Sequence, residues 1–405
     1  MTTQCECPIL SAADARAVAN TLASEFAAGA AERDRLRQLP FREMDAVSAS
    51  GLLAITVPAE YGGADLAPSV VADVVRILAT GDPNIAQIPH SHFVYVNLLR
   101  LAGSTAQLKH YSRELLRGAR IANAQAERNG PTAADVATTL TPTADGFRVD
   151  GTKYYCTGSA FADILAVLTS LEDPDGRSGL AAGQYVAFLP ADNPQVRILD
   201  DWDALGQRTT ASGTVVFDGV PVERGQLISR ARAVNAPTGY GAFAQLMHAA
   251  IDLGIARAAL DAAAAFAREH TRPWFEAGVS RAIDDPLLIQ RFGELAVTVR
   301  AAEAAFEVAG NALDTVLGHE PDADRAAESS LSVATAKILA DRAGNDVSSA
   351  LFELCGTRST AVELNLGHFW RNARTHTVHD PIRWKYQHIG RAVLSGTPPP
   401  LHSAI

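Results

Sequence analysis

What most limits the fold of this chain is how its two kinds of pattern are segregated. Helix-forming stretches fill both ends, and strand-like stretches fill the middle. The first stretch, "SAADARAVANTLASEF", opens on a Ser suited to cap a helix and continues in good helix formers. Pro58 and Gly62–Gly63 in "VPAEYGGADL" interrupt the pattern. Helical character resumes near Pro68 and runs to Arg117, with breaks at "GDPN" and "AGS". It then changes: "TTLTPTADGFRVDGTKYYCTG" is strand-like, and its Asp-Gly steps at 145–146 and 150–151 predict tight turns between strands. "QYVAFLP" and "GTVVFDGVPV" are further strand candidates. Beyond residue 231 the helices return, long and rich in Ala, with Leu288, Phe292, Leu295 and Val299 at helical spacing. A chain of 405 residues exceeds one ordinary domain. The order predicts a mainly α protein with a central β-domain: helices over 1–118, a small antiparallel β-domain over 119–230 and a helical bundle over 231–405.

Charge and cysteine usage narrow the function. A net charge of −10 argues against general nucleic-acid binding, because neutralising phosphates needs a basic face. It leaves room for a local Arg-lined pocket that holds one phosphate. Cys5 and Cys7 are one residue apart, which is not a zinc spacing, and no Cys/His cluster completes a site. Cys156 and Cys355 complete the four cysteines, read as free thiols in a reducing cytoplasm. The stretch "MTTQCECPIL" lacks a basic region followed by an apolar run, and no apolar segment is long enough to span a bilayer. The expectation is a cytoplasmic protein without membrane or nucleic-acid partners. No Gly-x-Gly-x-x-Gly loop follows a strand, so no Rossmann site is expected.

The densest chemistry lies in "RNARTHTVHDP", residues 371–381, which gathers Arg371, Arg374, His376, His379 and Asp380. It reads as a metal site, an acid–base site or a solvated turn. Metal is the weakest of the three. His379 and Asp380 are adjacent and would strain to reach one ion, and no other grouping offers ligands at a typical spacing. Histidine suits proton transfer because its ordinary pKa lies near neutrality.

The order helices, β-domain, bundle, together with four local stretches, resembles the acyl-CoA dehydrogenase superfamily of flavoproteins. The stretches are "VPAEYGGADL", "DWDALGQRTTASGTVVFDGVPV", "LFELCGTRST" and "LGHFWRNAR". The resemblance covers nearly the whole chain and implies a helical domain, a middle antiparallel β-barrel and a four-helix bundle. Many dehydrogenases carry a catalytic glutamate after the last stretch. Here "THTVHDP" stands instead, which resembles the flavin-dependent monooxygenases akin to dibenzothiophene monooxygenase. That subgroup takes reduced FMN from a separate flavin reductase. It adds O2 to give a C4a-hydroperoxyflavin and oxygenates a small organic substrate. An organosulfur compound is the first expectation here.

By this resemblance His379 contacts the peroxide, and His376 and Asp380 position it or line the same pocket. Thr157, in "YYCTGS", bonds the reactive edge of the flavin, with Tyr155 and Asn123 beside the ring. Trp202 stacks near it and Ser212 bonds an edge. Arg272 and Arg358 hold the phosphate, partly across a subunit interface, as their planar forks suit them to do. His92 and Tyr95, one helical turn apart, face the substrate cavity. A homotetramer is implied, since the fold builds its flavin pocket across an interface. Each residue also has a plainer reading: a strand threonine, a core tryptophan, surface arginines, a buried aromatic cluster. Two other readings stay open: an FAD-dependent acyl-CoA dehydrogenase whose base lies elsewhere, and a helical assembly protein that has lost its site.

Overall fold

The computed structural model describes residues 7–132, 134–402 and 404–405; the Cys5 thiol lies outside them. The first layer is helical: α1 (Ala12–Leu36), α2 (Phe41–Ala49), α3 (Pro68–Gly81), α4 (Pro83–Gln87), α5 (His90–Ala102) and α6 (Thr105–Leu115). Ser11 caps α1 as its position predicts, its side chain accepting from the Asp14 amide.

The strands are β1 (Ile121–Ala124), β2 (Thr139–Pro142), β3 (Phe147–Lys153), β4 (Ile164–Leu171), β5 (Gln184–Pro190), β6 (Val196–Leu199), β7 (Thr214–Val222) and β8 (Leu227–Ser229). They form one eight-stranded sheet in the order β6-β7-β3-β2-β4-β5-β8, with β1 also paired to β4. Most pairs are antiparallel, but β1 and β2 both run parallel to β4. The Asp145–Gly146 step makes the expected turn, closed by the Thr143 amide on the Gly146 carbonyl. The Asp150–Gly151 step does not turn the chain. It lies within β3 at a shift in register against β7, a β-bulge. A Cβ on Gly151 would stand 2.4 Å from the Thr138 hydroxyl, so the strand can pass there only as glycine. Across the pair, Asp150 accepts from the Gly219 amide at 2.8 Å, so two Asp-Gly steps fasten one another.

The last layer is α7 (Arg230–Val234), α8 (Tyr240–Glu269), α9 (Pro286–Asp314), α10 (Ala323–Cys355), α11 (Gly367–Thr377) and α12 (Arg383–Ser395). Helix α8 packs on α10, α9 and α3 and forms the axis of the bundle. From Ala242 to Ala256 it is buried on every side. Leu295 and Val299 of α9 are core, with Leu288 and Phe292 packed against it. Among the described residues no helix is long and apolar enough to cross a membrane.

Candidate active site

Helix α11 joins the two halves of the site. Asn372 and His376 lie four residues apart, on one face of the helix. Asn372 accepts from the Gln207 amide at 2.7 Å and so fastens the loop between β6 and β7 to the bundle. Gly206, beside it, lies so close that a Cβ would stand 2.0 Å from the Arg371 carbonyl. Arg371 in turn bonds Asp34 of α1.

One turn further on, His376 enters a buried polar network. Its Nδ1 lies 2.5 Å from Asp252 Oδ1, and its Nε2 lies 3.0 Å from His248 Nδ1. Lys337 donates to the other Asp252 oxygen at 2.7 Å. Asp252, Lys337 and His376 are each at most 2% exposed, so the ions hold one another where water cannot. An ionised Asp252 accepts from the Nδ1–H of His376, and a single proton bridges His376 Nε2 and His248 Nδ1. Burial pulls the Asp252 carboxyl up, but Lys337 and His376 outweigh it and hold it below its ordinary value.

The His248 ring is sandwiched between His90, centroids 4.0 Å apart, and His379, 4.2 Å apart. His90 donates from Nε2 to the Ala244 carbonyl at 3.1 Å. Desolvation pushes these imidazoles down, His90 to about 3 and His248 well below its ordinary value. His379 is also pushed down by its packing, to about 4, with Asp380 pulling the other way. Yet the residue as a whole is exposed, so water reaches it. At neutral pH all three are uncharged and each carries one N–H. Asp380 forms no hydrogen bond to His379; its carboxylate is paired with Lys385 at 2.8 Å, so it acts on His379 through space. Among the described residues no three His, Cys, Asp or Glu side chains converge as ligands for a metal.

The β-domain supplies the other wall. Thr157 Oγ1 lies 2.7 Å from Ser212 Oγ, which lies 2.7 Å from Thr210 Oγ1. Thr210 donates to the Gln207 carbonyl, which also accepts from the Trp202 indole at 2.7 Å. Tyr155 meets Trp202 edge-on at 6.1 Å, its backbone held at φ 56°. Four of the predicted residues, Tyr155, Thr157, Trp202 and Ser212, thus stand together. Asn123 lies on β1, and its Oδ1 is buried without a partner. The segment after it is tied down by Lys153, fully buried and bonded to Glu127 at 2.6 Å and to the Gln125 carbonyl at 3.1 Å.

The remaining predicted residues stand elsewhere. His92 is corrected as a substrate contact. Its Nε2 donates to the Leu53 carbonyl at 2.8 Å and its Nδ1 accepts from the Ile121 amide at 3.2 Å, so both ring nitrogens are spent on backbone. The void beside it, about 10 Å³, holds no more than one water. Tyr95 donates to Gln125 at 3.2 Å and packs against Phe188. Arg358 donates to the His270 carbonyl at 2.9 Å, two residues from Arg272, so both arginines lie at the far end of the bundle, exposed to solvent. Neither bonds Tyr155, Thr157, Trp202 or Ser212.

His90, His248, Asp252 and Lys337 were not among the predicted residues. A signal for two of them was present: in "FAQLMHAAIDLGIA" the polar residues His248 and Asp252 stand four apart in a helical stretch with one other polar side chain, Gln245. Polar groups in such a helix are retained where partners satisfy them.

With this geometry in place, the comparisons fix the class. Residues 13–119, 122–220 and 246–384 match the N-terminal, middle and C-terminal domains of acyl-CoA dehydrogenase, and the chain belongs to that family. Within it, the chain is 34% identical to dibenzothiophene monooxygenase of Rhodococcus qingshengii, over 95% of this chain and 94% of that one. The probable FMNH2-dependent monooxygenase SfnC of Pseudomonas putida is 29% identical over 95% and 96% of the two chains. The crystal structure of FMN-bound TdsC from Paenibacillus sp. A11-2 superposes with a TM-score of 0.91 at 31% identity, covering 96% of this chain and all of that one.

Proposed function

We infer that this protein is a two-component monooxygenase that uses reduced FMN and O2 to oxygenate a small organosulfur compound, with the FMN supplied by a separate flavin reductase. The observation that carries the reading is the exposed His379, its ring 4.2 Å from that of His248, which bonds His376 one helical turn from Asn372, the residue that fastens the β6–β7 loop. Reduced FMN, when bound, would supply the two electrons that activate O2, and O2 supplies the oxygen atom that is transferred.

The residues present fit a flavin. The orphaned Oδ1 of Asn123 and the Thr157–Ser212 hydroxyls are polar groups that a ring edge would satisfy. Tyr155 and Trp202 offer aromatic walls for a flat ring. The exposed Arg272 and Arg358 suit the phosphate of FMN bound to a neighbouring subunit. His379 presents an uncharged N–H toward the reacting oxygen and acts as the proton donor. His248, set by His376 and Asp252, holds the ring of His379 in place. The α5 and α8 walls carry His90, Tyr95 and Tyr240, with burial pushing the Tyr240 phenol up to about 12, so it stays a neutral donor. The chain works as a homotetramer, which brings the two arginines to the hydroxyl row.

The sulfur substrate class comes from the relatives, five of which are named dibenzothiophene monooxygenase. The dehydrogenase reading loses ground because "THTVHDP" places imidazoles where a glutamate is needed. Rapid mixing tests the choice. The protein is combined with photoreduced FMN under anaerobic conditions, then with O2, while the flavin spectrum is followed. A transient spectrum distinct from both reduced and oxidised FMN is expected. Reoxidation at the rate of free FMN would overturn the reading and direct attention to FAD and acyl-CoA substrates.

A further inference from the structure

The hydroxyl row in the β-domain has a direction. Thr157, Ser212 and Thr210 make O···O contacts of 2.7, 2.7 and 2.9 Å, the last to the Gln207 carbonyl. Three hydroxyls bring three protons to three contacts, and the carbonyl at the end has none to give. A single arrangement puts a proton in every contact: Thr157 donates to Ser212, Ser212 to Thr210, and Thr210 to Gln207. Any other leaves two oxygens facing one another at hydrogen-bond distance with nothing between them.

The anchor is fixed. Gln207 is held at φ 50°, its amide is bound by Asn372, and its carbonyl also receives the Trp202 indole. The row is enclosed, with Thr210 at 0% and Ser212 at 5% exposure. Thr157 therefore spends its one proton inward, and what its oxygen offers a ligand is lone pairs alone.

We propose that this row makes the site selective for the oxidation state of its flavin, with Ser212 and Thr210 as positioning residues. Reduced flavin carries a proton on N5, and oxidised flavin carries a bare acceptor there. An acceptor-only Thr157 welcomes the first and opposes the second. The proposal rests on the FMN reading of the site and deepens it: the row retains the cofactor in the form the reductase delivers and releases it once oxidised.

The test measures dissociation constants of photoreduced FMN, without oxygen, and of oxidised FMN. It compares the full-length protein with Thr210→Val, Ser212→Ala and Thr210→Ser. The unaltered protein binds reduced FMN more tightly. Thr210→Val keeps the side-chain shape but breaks the row, so Thr157 can turn its proton outward. The ratio of the two constants then falls about tenfold, the worth of one hydrogen bond made or opposed. Thr210→Ser restores it. Ser212→Ala breaks the row one step nearer the flavin and carries the test if Thr210→Val does not fold. An unmoved ratio in folded variants, with FMN still bound, overturns this proposal and leaves the FMN reading standing. Failure of the unaltered protein to bind FMN in either state overturns both.

Discussion

His379 is the one histidine of the cluster that is both exposed and held, and that combination suits proton donation to a transient oxygen species. A buried partner such as His248 has its Nδ1 committed to His376. Replacing His379 with Ala removes a ring that no hydrogen bond network depends on. The expected outcome is a folded protein with FMN affinity within a few-fold of the original and oxygenated product down by about 10²–10⁴. Hydrogen peroxide replaces the product, and assaying both against reduced FMN consumed checks this. Product yield equal to that of the unaltered protein would remove His379 from the reaction. The segment 371–381 announced itself in the sequence because its polar residues are contiguous. His90, His248, Asp252 and Lys337 did not, because they come from three helices and only packing brings them together. His92 misled for a related reason. It stands two positions after His90, and on a helix that step turns the side chain to the other face.

At the scale of elements, α11 and the β6–β7 loop form one rigid unit. Asn372 binds the loop, and Gly206 lets the two backbones approach. A Gly206→Ala change inserts a methyl 2.0 Å from the Arg371 carbonyl and 2.6 Å from the Asn372 amide. Backbone cannot yield as a flexible side chain can, so the loop must lift. The cost is about 1–3 kcal/mol of stability by analogy with other overpacked sites. The diagnostic effect is on binding, because Gln207 anchors Trp202 and Thr210. Reduced-FMN affinity should fall by more than it does for a surface glycine control such as Gly293→Ala. Equal affinity for the two variants would mean that the loop and α11 are independent. Sequence patterns showed where the strands and helices lie but gave no sign of this junction, because a long-range backbone contact leaves no periodicity. Likewise the Asp150–Gly151 step read as a turn. Local propensity cannot separate a hairpin from a bulge when the outcome depends on Thr138 of the neighbouring strand.

For the molecule as a whole, the segregation of patterns was enough to show the layered fold, since each layer has its own period. The packed histidines then set how the whole responds to acid. His90, His248 and His379 all have lowered pKa values in the folded state, with desolvation as the first cause. The unfolded chain takes up these protons near pH 6.5, and the folded one refuses them until well below that. Stability should therefore be level above about pH 7 and fall as pH drops from about 6.5 toward 4. A melting temperature at pH 5 equal to or above that at pH 7.5 would contradict this. The surface bears on assembly. Val393 and Leu394 of α12 are 80% and 88% exposed, and Trp274 and Phe275, beside Arg272, are 61% and 78% exposed. A groove of about 330 Å³, lined by Leu331, Thr335, Ile389 and Val393, runs between α10 and α12. Apolar groups left this open on a chain whose two phosphate candidates lie apart from its hydroxyl row fit a protein completed by copies of itself. Light scattering on the unaltered chain should give a tetramer. The double change Val393→Asp and Leu394→Asp should give smaller folded species with reduced-FMN affinity lowered at least tenfold, since each flavin would lose arginines supplied by a neighbour. A monomer that binds FMN as tightly as the assembly would show that Arg272 and Arg358 serve no neighbouring site.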